Sequence, residues 1–389
     1  MTRALLWRVA SRILAAIGQA GFLLIVAGSV GAATFGEFAV VLGVGTLSAA
    51  LLGFGASSRI LRIEGEADAG QLAGAFWVVR SVSAIVAFSL AFTVGAVAGF
   101  EVLAVAGAAA LAASDAVLEY SQALLAGRLR ETVSASLPVV QRVSFLVAAA
   151  AFVSTPELLF AAVIVVAVAW FGIGVVLTRS SVPGLGAVLA SLRSSTGYWG
   201  NGLVANLKQL EPLAVSAVAS PTFTGQFSLV ARLVNPIQIV PASLQFVFVP
   251  RLASTFDQHD FRAQLRQLST ICIAYGCVVV VASPLAASLL PLLLGPDYAD
   301  TFVIATATIA AAGLSSATFI FQIYFIARGK PWPVTWVNGL GGGLAVVLLV
   351  AVGAASGGDL IWVCPIIAQL CMLVGLWVLW RRDWSRWSM

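Results

Sequence analysis

Residues 201–251 read NGLVANLKQLEPLAVSAVASPTFTGQFSLVARLVNPIQIVPASLQFVFVPR. Two apolar segments flank the turn from Ser220 to Gly225, and each is long enough to cross a bilayer. The first carries Asn201, Lys208, Glu211 and Pro212; the second carries Arg232, Asn235, Pro236 and Pro241. An ionisable residue near the centre of a membrane helix costs roughly 2.5 to 3.5 kcal/mol, whereas each Leu or Val returns about 0.3 to 0.6. The seven Leu and Val from Leu203 to Val218 return roughly 2 to 4 kcal/mol in all. Lys208 and Glu211 together outweigh them, so this segment faces other helices or a polar cavity rather than lipid. At 100° per residue, Gly197, Asn201, Lys208, Glu211 and Pro212 share one face, and Ser228, Arg232, Asn235 and Ser243 share one face of the next segment. Two polar stripes on adjoining spans predict a cavity wall. The same spacing also lets Lys208 and Glu211 satisfy each other at i, i+3.

The rest of the chain extends this reading. Of its 389 residues, 60% are hydrophobic and 10% charged, with a mean hydropathy of +1.02. A soluble domain carries about 25% charged residues, so this is a polytopic membrane protein with little mass outside the bilayer. Twelve apolar spans are predicted, near 10–30, 38–57, 76–99, 102–126, 133–153, 158–178, 196–219, 226–250, 269–294, 301–327, 333–354 and 360–380. In the eleventh, Gly339 and Gly343 form a GxxxG pair that predicts close helix packing. No cleavable signal peptide is expected, because the apolar run over Gly18 to Val30 leads to no polar domain.

Basic residues set the orientation. The connections on one side hold Arg3, Arg59, Arg128, Arg179, Arg193, Arg262, Arg328 and Arg381 among others. Those on the other side hold no Lys or Arg, but Glu37, Glu101, Glu157, Asp297, Asp300 and Asp359. By the positive-inside rule both termini are expected in the cytoplasm. The net charge of +5 is then topological, and no nucleic-acid partner is implied. Cys272, Cys277, Cys364 and Cys371 lie in apolar segments without metal spacing, and His259 is the one histidine. No metal or cofactor is expected.

Arg80, Arg142 and Lys208 lie inside spans, as do Asp115 and Glu119 of the fourth. Asp115 and Glu119 share a face with Gln122. Asp115 and Arg142 are both near mid-membrane, where a charge survives best when paired, so an Asp115–Arg142 pair is expected. Residues 182–193 and 251–268 look amphipathic and are expected at the membrane surface. Trp377, Trp380, Trp384 and Trp387 beside Arg381 and Arg382 predict an interfacial anchor.

The chain also repeats itself. Thr34-Phe35-Gly36-Glu37-Phe38 opens the second span and Thr222-Phe223-Thr224-Gly225-Gln226-Phe227 opens the eighth. Gln122 precedes Arg128 by six residues as Gln322 precedes Arg328. Six spans per half is an even number, so both halves enter from the same side and the repeat is parallel. The expected fold is an all-α polytopic membrane protein with about 12 transmembrane helices, in two parallel six-helix bundles around a central cavity. The bundles are 1–180 and 196–389, joined by an amphipathic linker at 181–195.

Residues 32–62, AATFGEFAVVLGVGTLSAALLGFGASSRILR, and 227–253, FSLVARLVNPIQIVPASLQFVFVPRLA, resemble the matching spans of oligosaccharide-lipid flippases. These belong to the multidrug/oligosaccharidyl-lipid/polysaccharide (MOP) superfamily, and the resemblance is to its polysaccharide transporter, O-antigen flippase-like branch. It implies a non-enzymatic, multi-pass protein of the bacterial cytoplasmic membrane. It implies movement of a polyprenyl-pyrophosphate-linked oligosaccharide from the inner to the outer leaflet by alternating access, for cell-surface polysaccharide synthesis. Partners would be the lipid-linked glycan, membrane lipids, a polysaccharide polymerase and glycosyltransferases. A diphosphate-sugar headgroup needs fixed cations and hydroxyl-binding groups. The candidate cavity residues are Arg80, Arg142, Asn201, Lys208, Glu211, Arg232 and Asn235. Asp115 and Glu119 are candidates for coupling to H+ or Na+.

The rival reading is a cation-coupled multidrug or metabolite exporter of the same superfamily, which should favour an acidic cavity. An enzyme is disfavoured: the sequence has no Asp-rich nucleotide-sugar motif, no phosphate loop and no clustered His.

Overall fold

The computed structural model describes residues 2–60, 69–128, 130–234, 257–328, 330 and 332–387, with 237–238, 240–241, 244–245, 248–249 and 252. The described residues are helical with short connections, and hold no strand. Nine helices among them are long and apolar enough to cross a membrane.

The first, α1 (Thr2–Leu52), contains two of the predicted spans. It breaks at Gly31, where φ is 75° and ψ 167°, a conformation that only glycine adopts readily. After the turn at Gly53 comes the short α2 (Ala56–Ile60), then α3 (Ala69–Val97), α4 (Val102–Gly127), α5 (Glu131–Ala151) and α6 (Pro156–Leu177). The linker forms α7 (Leu185–Ser194), as its amphipathic pattern predicts. The seventh span is not one helix. It is α8 (Thr196–Asn206), a 3-10 turn (Leu207–Leu210) and α9 (Glu211–Ser216). The eighth opens as α10 (Pro221–Leu233).

The chain divides into two compact units, Met1–Ser216 with Ser220–Leu229, and Ala217–Ala219 with Val230–Met389. The units part later than residues 181–195, because α7 packs on α3, and α8 and α9 pack on α1. In the first unit α4 is the central helix, touching α1, α3, α5 and α6. Its most apolar window is 72% buried, far above any other span of this unit. Small residues allow this: Gly45 of α1 meets Ala112, Gly95 of α3 meets Val105, and Gly174 of α6 meets Val117. Without bulky side chains at these crossings, dispersion contacts form at short interaxial distance.

The second unit holds α11 (Gln258–Leu294), α12 (Phe302–Ala327), α13 (Trp332–Ser356) and α14 (Val363–Trp387). The amphipathic stretch ending at Leu268 does not lie separately on the membrane surface where it is described. From Gln258 it continues as α11, whose 37 residues span about 55 Å, well beyond a hydrocarbon core of roughly 30 Å. Its apolar stripe, Phe261, Leu265, Leu268 and Cys272, packs on Tyr324, Leu376 and Trp384 instead of on lipid. Further along, Gly276 and Gly313 of α11 and α12 approach reciprocally, each facing the other's carbonyl. In α13 the close contact falls at Gly341, which packs against Met372, whereas Gly343 of the expected GxxxG pair has open space.

The internal repeat is visible in backbone detail. Helix α12 ends two hundred residues after α4, and the same capping bonds recur. Arg128 N donates to Leu124 O and Arg130 N to Leu125 O; Arg328 N donates to Tyr324 O and Lys330 N to Phe325 O.

Candidate functional site

Three groups of charged residues lie within the predicted spans. Arg80 on α3 is 5% exposed. Its Nε donates to Ala116 O at 2.7 Å, Nη1 to Ala49 O at 2.8 Å and Nη2 to Glu119 Oε2 at 2.6 Å. The planar fork thus ties α3 to α1 and α4, using directional donors that a lysine lacks. Gly53 leaves room for it, since a Cβ there would strike the guanidinium. Arg80 is therefore a buried hub with its donors committed, and Glu119 stays 64% exposed.

Asp115 and Arg142 form the expected pair, with Nη2 and Oδ2 2.9 Å apart. Gln141 Nε2 donates to the other carboxylate oxygen at 2.9 Å. Sequence reading missed Gln141, although its position beside Arg142 was a usable signal. Arg142 packs against Gly18 of α1, and Trp170 Nε1 donates to Ser144 Oγ two residues further along α5. Both acidic residues of α4 are therefore held by guanidinium groups.

The third group is the broken seventh span. Pro212 has no N–H to donate to Lys208 O, and Glu211 N donates there instead, which tightens the turn to the 3-10 form. The break packs on α1, where Gly43 approaches Gln209 O. The single polar face predicted for one continuous helix is thereby split. Lys208 is exposed, Glu211 is half-buried and Pro212 is buried. Among the described residues Lys208 and Glu211 form no ion pair. Arg232, which belongs to the second unit, is half-buried on α10 with Ser228 buried one turn before it. Asn235 and Ser243 lie outside the described residues, as does the side chain of Asn201 in α8.

The repeated motifs meet inside the first unit. A Cβ on Gly36 would sit 2.5 Å from Pro221 O and 2.8 Å from Gly225 N, and one on Gly225 would strike Ala32 O. Beside this crossing Glu37 accepts a hydrogen bond from Glu101 N at 2.9 Å, and Glu101 caps α4 through Leu103 N and Ala104 N.

No family model matches the chain, and no curated protein matches it. Solved structures do. The MATE multidrug transporter DinF-BH aligns over 98% of this chain and 95% of its own, with a TM-score of 0.65 and 16% identity. An inward-facing multidrug resistance MATE family transporter of the MOP superfamily aligns over 95% and 94%, with a TM-score of 0.65 and 13% identity. A eukaryotic MATE transporter aligns over 97% and 95%, with a TM-score of 0.56 and 14% identity. Across nearly its whole length, this multi-pass membrane protein has the fold of the MATE transporters of the MOP superfamily.

Proposed function

We propose that the protein is a transporter that moves a polyprenyl-pyrophosphate-linked oligosaccharide from the inner to the outer leaflet of a bacterial cytoplasmic membrane. One observation carries this reading over export of a cationic drug. Asp115 and Glu119 are both engaged by arginines, while Lys208 is exposed at a break in its span. The two carboxylates of α4 are thus neutralised at close range, and an anionic diphosphate needs a cation it can reach, which Lys208 offers. Lys208 and Arg232 are the residues proposed to meet the diphosphate, with hydroxyl recognition by Asn201 and Asn235. Arg142 and Arg80 contribute positive charge while holding Asp115 and Glu119. The break at Lys208 supports this, because irregular backbone at membrane depth is tolerated where it is buried in protein or lines water. The prenyl tail stays in lipid throughout, so only the headgroup is enclosed.

Coupling to H+ or Na+ is proposed for Asp115 and Glu119, since a cation taken up by either carboxylate would compete with the arginine that holds it. A polymerase and glycosyltransferases are the proposed functional partners. The test is headgroup translocation by purified variants in liposomes, with folded yield and thermal stability followed in parallel. A Lys208→Ala, Arg232→Ala variant should fold and lose translocation, whereas wild-type translocation by that variant contradicts the proposed phosphate contacts.

A further inference from the structure

A cavity lies wholly within the first unit, at its acidic end. It has a volume of about 320 Å³ and is lined by Val40, Val94, Ala98, Leu213 and Thr224, with Glu37 as its charged lining residue. Ligand pockets of this size are typically apolar with one or two fixed polar groups. Ser216 and Thr224, also in the lining, already donate their hydroxyls to Leu213 O and Ser220 O. One oxygen of Glu37 accepts from Glu101 N, and Glu101 adds a second carboxylate beside it. The connections at this end, 98–101, 152–155 and 217–220, contain no Lys or Arg. The local charge is therefore negative, and these connections supply no cation to offset it. In the second copy of the motif Gln226 stands where Glu37 does, neutral and 6% exposed, so the charge is particular to this cavity.

The wall of the cavity continues along an exposed apolar stripe of α3. Val86, Leu90 and Val94 of α3 are 39%, 46% and 39% exposed, at intervals of four residues, and Ala98 is the next in the series. This stripe rises about 12 Å from Val86 to Val94 and enters the cavity at its top. An acyl chain fits such a stripe, and an ammonium fits the carboxylate at its end. We propose that the cavity binds the amine headgroup of a phospholipid, with the ammonium on Glu37 and a chain along Val86, Leu90 and Val94. Anionic headgroups without an amine are repelled by Glu37 and Glu101. The site is separate from the diphosphate contacts and does not depend on them.

The test uses the full chain, purified in maltoside, stripped of lipid and titrated with phosphatidylethanolamine or phosphatidylglycerol under native mass spectrometry. Phosphatidylethanolamine should bind about tenfold more tightly, the size of one charge-assisted hydrogen bond. Glu37→Gln keeps an oxygen for Glu101 N and should abolish that preference. Ala98→Phe fills the cavity with Glu37 intact and should weaken phosphatidylethanolamine binding as well. Glycerophosphoethanolamine and benzyltrimethylammonium, which lack acyl chains, should fail to compete where dihexanoyl phosphatidylethanolamine does. Equal binding of the two lipids by the wild type overturns the proposal, as does an unchanged preference in Glu37→Gln. Competition by benzyltrimethylammonium as strong as by the short-chain lipid also overturns it, making the cavity a site for free organic cations. Should Glu37→Gln fold poorly, the lipid and competitor series on the wild type decides alone.

Discussion

Arg80 and Glu119 meet at 2.6 Å with opposite surroundings: the arginine side chain is 7% exposed and the glutamate side chain 64%. The pair is thus anchored from one side only. Arg80 is fixed by Ala49 O and Ala116 O as well, and Glu119 is free to be solvated. Arg80→Lys should lower stability by roughly 2 to 4 kcal/mol, since charged hydrogen bonds to two carbonyls are lost. Glu119→Gln should cost at most about 1 kcal/mol, as for other exposed ion pairs. Thermal unfolding of the two purified variants checks the order, and a larger loss for Glu119→Gln would reverse the anchoring described.

Asp115 and Arg142 behave as a unit with Gln141. Arg142→Gln leaves a half-buried carboxylate without its countercharge and should destabilise by roughly 2 to 4 kcal/mol. Adding Asp115→Asn should recover part of that loss. A double-mutant cycle measures the coupling; strict additivity would mean that the pair carries no net interaction.

Glycine substitutions separate crossings from open space. Gly225→Ala drives a Cβ into Ala32 O and should cost roughly 1 to 3 kcal/mol through strain. Gly343→Ala meets nothing within 4 Å and should be neutral or stabilise by up to about 1 kcal/mol. Unfolding midpoints of the two variants give the comparison directly.

These residues also mark what the sequence makes legible. The Asp115–Arg142 pair could be read because two charges at mid-membrane depth have few ways to survive. The repeat could be read because turn chemistry is local, and the recurring caps at Arg128 and Arg328 follow it. Arg80 is ambiguous in sequence for a physical reason: a buried arginine looks the same whether it faces cargo or main-chain carbonyls, and tertiary contacts such as those to Ala49 O and Ala116 O are not written in it. The break at Lys208 was signalled by Pro212, but its consequence for the polar face depends on how far a missing N–H tightens the turn. The sequence of α11 reads as a surface segment followed by a span, because its first turns are amphipathic. That pattern fits a lipid surface and the aromatic cluster of Tyr324 and Trp384 equally well.

Orientation rests on charge alone and has its own test. In a variant with the four cysteines replaced, Ser154→Cys should react with an impermeant maleimide in intact cells. Arg382→Cys should react only after permeabilisation. Both side chains are exposed, so accessibility is set by the membrane, and the opposite pattern would invert the topology.

The central claim is that the cargo is an anionic lipid-linked glycan. The most direct measurement reconstitutes the wild-type protein in liposomes and follows two cargoes side by side, a polyprenyl-diphosphate oligosaccharide and a fluorescent organic cation. Protein-dependent translocation of the glycan headgroup, with no accumulation of the cation under an imposed H+ or Na+ gradient, is the predicted result. Gradient-driven movement of the cation with the glycan left in its original leaflet would contradict it.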